Sequence, residues 1–73
     1  MTYAITVSPA EPGWVVRGET LENEMQFMSG AKAEIAARSL ATRMAQGGLS
    51  TEIQIFLRDG TLAQRVQYGG ASL

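Results

Sequence analysis

The chain contains no histidine and no cysteine. Imidazole acid–base chemistry, thiolate nucleophiles, disulfides and most zinc or copper sites are therefore excluded from the outset. The residues left for acid–base or metal chemistry are the carboxylates Glu11, Glu19, Glu22, Glu24, Glu34, Glu52 and Asp59. None stands at a metal-ligand spacing, and Asp59 is accounted for by an Asp-Gly turn. The Ser and Thr hydroxyls have no histidine or paired lysine to activate them, and Lys32 stands alone near a helix start. Gly47-Gly48 and Gly69-Gly70 form no phosphate-cradling loop leading into a helix. This inventory implies no catalytic residue, no metal and no cofactor. An enzyme here would need an unseen cofactor or an active site shared between subunits.

Binding chemistry is better represented. Period-two bookkeeping along the predicted strands places Val15, Arg17, Gln54, Phe56, Arg58 and Arg65 away from the core. An apolar patch of Val15, Met28 and Phe56 has the character of a protein–protein interface, with Arg17 and Arg65 fixing orientation, and Ile35 is expected to be exposed on the helix near Arg38 and Thr42. A homodimer through the open sheet face, or through an unpaired strand edge, is the expectation. The alternative is a nucleic-acid surface on the same face, in which Arg17, Arg58 and Arg65 contact phosphates and Phe56 stacks a base. The plainer account pairs Arg65 with Glu52 across a ladder and Arg17 with Glu19 or another neighbour, leaving Phe56 to cover its partner strand.

The elements that must position these residues follow from periodicity and punctuation. Tyr3 to Val7 alternates, with Tyr3, Ile5 and Val7 on one face. Ser8 to Gly13 is a turn cluster holding both prolines. Trp14 to Glu19 reads as a second strand with Trp14 and Val16 inward, and Glu24 to Met28 as a short third strand with Met25 and Phe27 inward. Ser29 is a good N-cap for a helix over Gly30–Gln46, whose Ala33, Ala36, Ala37, Leu40 and Met44 make a buried stripe. Gly47-Gly48 supplies a left-handed C-cap. Thr51 to Arg58 alternates again, and Asp59-Gly60 predicts a two-residue hairpin turn. That turn pairs Arg58 with Thr61, Leu57 with Leu62, Phe56 with Ala63, Ile55 with Gln64, Gln54 with Arg65, Ile53 with Val66, Glu52 with Gln67 and Thr51 with Tyr68. Ile53, Ile55, Leu57, Leu62, Val66 and Tyr68 then look toward the helix, and Gly69 to Leu73 is a frayed tail. The predicted fold is α+β: an antiparallel sheet of four to five strands, ββ(β)αββ, with one helix packed on one face.

Gly13-Trp14-Val15-Val16-Arg17-Gly18-Glu19, the alanine-rich run Ala33 to Ala41, Arg58-Asp59-Gly60-Thr61-Leu62 and the closing Tyr68-Gly69 stand in that order. Together they resemble a family of small bacterial proteins of unknown function, marked by a Trp-x-Val strand, an Ala-rich helix, an Arg-Asp-Gly turn and a final Tyr-Gly. The resemblance covers residues 3 to 70 and implies an α+β domain to which no activity is assigned. Members of that family carry an acidic residue followed by Ala at the helix start, whereas this chain has Ala31-Lys32-Ala33-Glu34-Ile35. The segment Trp14 to Ala36 also loosely resembles the arm-binding domains of phage-type integrases, a three-stranded sheet and helix that reads DNA.

Seventy-three residues make one small domain spanning 1–73. With a formal charge of -1, the chain lacks the basic excess of a mainly electrostatic nucleic-acid or membrane binder. Charge is uneven, at -3 over residues 1–29 and +2 over residues 30–73, and such halves can align a self-complementary contact. No apolar run approaches the ~20 residues of a membrane span. Met1-Thr2-Tyr3-Ala4 lacks the basic segment of a signal peptide, so a soluble, cytoplasmic protein is expected.

Overall fold

Ser29 opens the helix as its side chain and spacing require. It has an extended backbone (φ -112°, ψ 132°), and its Oγ accepts the Lys32 N–H at 3.3 Å. From there α1 runs over Gly30–Gln46, the span that the sequence predicts. It ends at Gly47 (φ -84°), and the left-handed residue is Gly48 alone (φ +91°). Ser29→Ala is expected to cost about 1 kcal/mol, read as a lower urea midpoint at unchanged slope; an unchanged midpoint would mean that solvent caps the helix equally well.

The structure, a computed structural model, describes residues 2–69. Around α1 lie β1 (Thr2–Pro9), β2 (Trp14–Gly18), β3 (Met25–Phe27), β4 (Ser50–Phe56) and β5 (Leu62–Tyr68). The α+β architecture is as expected, and the segment before the helix joins the sheet as a strand. The strand order is β3-β2-β1-β4-β5, with β1 at the centre.

An antiparallel sheet was expected throughout; the sheet is mixed instead. β1 and β4 run parallel, with Ile5 opposite Ile53 and Val7 opposite Ile55, while the other neighbours are antiparallel. The reason is the return path. Two hairpin reversals leave β3 running in the direction of β1, and α1 then carries the chain back to the starting end. A strand laid down from there beside β1 must run along it, and parallel neighbours require such a crossover.

The core lies between α1 and one sheet face. Ile5, Val7, Val16 and Ile53 meet Ala33, Ala37, Ala41 and Met44, all buried. Alanines along the helix seam leave no side-chain bulk to hold it off the strands, so the helix sits close. Ala41 joins the predicted stripe, while Ala36 and Leu40 flank it half-buried. Trp14, expected inward, packs against this core without being fully enclosed. The buried Thr51 hydroxyl donates to Leu49 O at 3.1 Å, which removes the cost of an unpaired polar group.

The β4–β5 connection differs from the predicted two-residue turn. Leu57 accepts the Gly60 N–H at 2.9 Å, and its own N–H donates to Thr61 O at 2.8 Å. Arg58, Asp59 and Gly60 therefore form a three-residue loop, with Gly60 at φ +88°. A primed two-residue turn would need Asp59 at positive φ, and only glycines adopt that region among the described residues. Thr61 hydrogen-bonds Asp59, side chain first and then its N–H at 2.9 Å, and holds that carboxyl below the usual carboxylate range.

The longer loop moves the register by one, so Phe56 faces Leu62 rather than Ala63. A bulge between Ile55 and Phe56 then restores the predicted pairs, from Ile55–Gln64 through Gln54–Arg65, Ile53–Val66 and Glu52–Gln67 to Thr51–Tyr68. Ile53 is buried, and Ile55, Val66 and Tyr68 pack on the core as expected. Leu57 and Leu62, placed inward by the simpler turn, are instead exposed. Of the expected tail, Gly69 packs on the helix, and a Cβ built there would stand 2.4 Å from the Ala45 Cβ; the remainder, residues 70–73, lies outside the described residues.

Candidate functional site

Among the described residues, one face of the sheet carries no helix. Alternation along the strands assigns it Thr6 and Ser8 from β1, Val15 and Arg17 from β2, Gln26 from β3, Gln54 and Phe56 from β4, and Arg65 and Gln67 from β5. At the end where the β1–β2 loop approaches the β4–β5 loop, the face deepens into an open groove of about 600 Å³. Thr6, Ser8, Arg17, Phe56 and Arg58 line it together with Glu11.

Both lining arginines already have partners. Arg17 Nε donates to Glu24 Oε1 at 2.8 Å, a residue on the approach to β3 rather than Glu19. Arg58 straps the two loops together. It donates to Ala10 O at 3.4 Å and Gly13 O at 3.3 Å, comes within 3.8 Å of a Glu11 carboxylate oxygen, and lies 5.0 Å from the centroid of the Trp14 ring. The Trp14 contact has cation–π geometry. Arg58 was expected as a phosphate contact, and nothing in the sequence connected it to Trp14 or to the proline-containing turn.

The other arginine of this face is differently placed. Glu52 accepts from Gln54 Nε2 at 2.8 Å, and the expected cross-strand pair with Arg65 is not made. Among the described residues Arg65 forms no ion pair, and it is exposed on β5 outside the groove.

The residues expected to form one interface are dispersed. Arg17 and Phe56 share the groove. Val15 belongs to the uncovered face but is 2% exposed, so it offers little surface to a partner. It stands between Ser8 and Gln26 in the register, where a short β-branched side chain lies low among its cross-strand neighbours. Met28 is exposed in the connection from β3 to α1, and Ile35 is exposed on the outer side of the helix. The uncovered face is thus mainly polar, with Phe56 as its half-buried aromatic member.

The edges of the sheet differ from one another. β3 offers three residues and β5 seven, with no proline in either. On the helix side of β5, Arg38 donates to Tyr68 Oη at 3.0 Å and pairs with Glu34 one turn away at 2.6 Å. These two bonds, Glu34 first, raise the Arg38 pKa above its already high value. They hold the end of β5 to α1, so the edge is presented on a fixed strand. Sequence reasoning could not locate this edge, because it depends on which strand takes the outer place.

Among the described residues no group of three or more His, Cys, Asp and Glu side chains could hold a metal ion, and no helix is long and apolar enough to cross a membrane. Compared with protein-family models, with curated proteins and with solved structures, the chain matches none.

Proposed function

We propose that this chain is a non-catalytic protein-interaction module that docks and self-associates through the free edge of β5. The observation that supports this reading is a seven-residue outer strand, pinned to the helix, whose outward ladder is unoccupied among the described residues. Such an edge is a template for a further strand, with main-chain hydrogen bonds providing the affinity. The mainly polar uncovered face and the burial of Val15 weigh against that face as the principal contact.

The direction of each backbone group on β5 follows from the loop. Leu57–Thr61 is a hydrogen-bonded pair, and bonded and open pairs alternate along an antiparallel ladder. Phe56–Leu62 is therefore open, Ile55 faces the bulge, Gln54–Arg65 is open and Ile53–Val66 is bonded. Val66 turns its N–H and C=O toward β4, and Arg65 and Gln67 turn theirs to the free edge.

Proline at position 67 removes one outward donor without breaking a bond to β4, and edge strands tolerate it there. Sedimentation velocity over rising concentration should show the parent chain gaining mass and Gln67→Pro remaining a monomer with the parent's circular dichroism. Equal association in both proteins, or none in the parent, would sink the reading.

A second reading, nucleic-acid binding, is favoured by the convergence of Arg17, Phe56 and Arg58 in one groove. It must contend with the carboxylate partners of both arginines. Its signature is affinity that falls steeply with salt.

A further inference from the structure

Building on the reading of β5 as the docking edge, we infer that the added strand is β5 of a second copy, antiparallel, with the twofold axis through Val66. The bulge ends the regular ladder at Gln64, and Gly69, at φ +61°, has already left the extended conformation. The regular edge is therefore Gln64–Tyr68, and its midpoint is Val66.

An axis through Val66 also suits the hydrogen bonds. Val66 and Val66 of the second copy form an open pair, flanked on each side by a bonded pair of Arg65 with Gln67. Each bonded pair exchanges N–H···O bonds in both directions, so every outward backbone group of Arg65 and Gln67 is satisfied. On the helix side Val66 packs on its own copy and Tyr68 lies opposite Gln64, which extends the half-buried apolar strip of β5.

Neighbouring registers are worse. An axis through Arg65 sets that guanidinium directly against its copy. An axis through Gln67 places Arg65 opposite Gly69, where no extended strand continues. β3 is too short to compete. Pairing of so few residues buries less than the ~1,200 Å² typical of stable interfaces, so the dimer is weak and concentration-dependent.

The absence of cysteine makes the register directly testable. Directly opposed residues of an open pair have Cα atoms about 4.5 Å apart, within reach of a disulfide. In a glutathione redox buffer, Val66→Cys is expected to form a covalent dimer at least about tenfold faster than Gln64→Cys or Arg65→Cys. Adding Gln67→Pro should bring its rate down to theirs. Equal rates for the three cysteine variants would overturn the register, while monomeric Gln67→Pro would still support the free edge in that case.

A second measurement keeps the inference open to refutation if Val66→Cys folds poorly. The axis brings Arg65 diagonally close to Arg65 of the second copy, at roughly 7 Å. Like charges at that range oppose association, so Arg65→Gln should tighten the dimer about two- to threefold at low salt. Added salt should tighten the parent dimer by a similar factor. Weakening in either experiment would overturn the assignment.

Discussion

Gly13→Ala is expected to lower the unfolding free energy by about 3 kcal/mol or more, which is on the order of half the stability of a chain this size. Gly13 is buried at φ +83°, and a Cβ there would lie 2.2 Å from Phe27 O and 3.3 Å from the Met28 Cα. Left-handed backbone in an alanine is itself unfavourable, and here the obstacle is main chain that cannot rotate aside. Gly13 O also accepts from Ala10 N at 2.9 Å and from Arg58 Nη2, so moving the loop would disturb the Arg58 strap. Gly60→Ala provides the control. It has φ +88° with nothing within 4 Å of its Cβ, and it should cost only about 1 kcal/mol. Urea titrations of both variants decide the matter: equal losses would mean that the approach to Phe27 carries no energetic weight.

Ile53→Ala is expected to cost about 2–5 kcal/mol, whereas Ile35→Ala should be neutral or slightly stabilising. The same side chain is removed in both, from sites that are 0% and 66% exposed. Ile53 lies on β4 beside the central strand, opposite Ile5 and Val66 in the register. Deleting it opens a cavity beneath a helix seam in which Ala33, Ala37 and Ala41 are too short to fill the space and Met44 is the longer buried side chain. Ile35 loses no core contact, and alanine is the better helix former. For a domain of this length each 1 kcal/mol moves the melting temperature by about 4–8 °C, so calorimetry separates the two variants easily. A small shift for Ile53→Ala would show that the sheet and helix close over the gap.

The helix was the most legible element. Ser29, an alanine-rich run without proline, and Gly47-Gly48 bound it at both ends through interactions only a few residues long, and the predicted span is the observed one. The β4–β5 pairing was legible from Ile55 to Thr51 for a related reason, since alternation and a nearby turn act locally. Between them, the loop and the bulge were hidden. An Asp-Gly pair suits either a two-residue turn or the end of a three-residue loop, and a compensating bulge leaves the distal register unchanged.

The candidate site was much less legible. Period two correctly put Arg17, Phe56 and Arg65 on the face away from the helix, but it carried no information about what else would be there. Thr6 and Ser8 join the groove because β1 lies between β2 and β4, a neighbourhood set by the crossover through α1. Arg58 is drawn to Trp14 and the Gly13 carbonyl across 44 and 45 positions of chain. Val15 is buried although it lies on the uncovered face, which no count along its own strand foretells.

By itself, then, the sequence determined the absence of histidine and cysteine, the span of the helix, most of the strand faces and most of one hairpin. Each of these depends on residue type or on contacts a few positions apart. Only the tertiary structure decided that β1 is central and parallel to β4, that β5 is an outer strand of the sheet, and that Arg17, Phe56 and Arg58 meet in one groove. Those outcomes depend on which distant strands become neighbours, and that choice is made by the whole core closing at once around α1 rather than by any local stretch of chain.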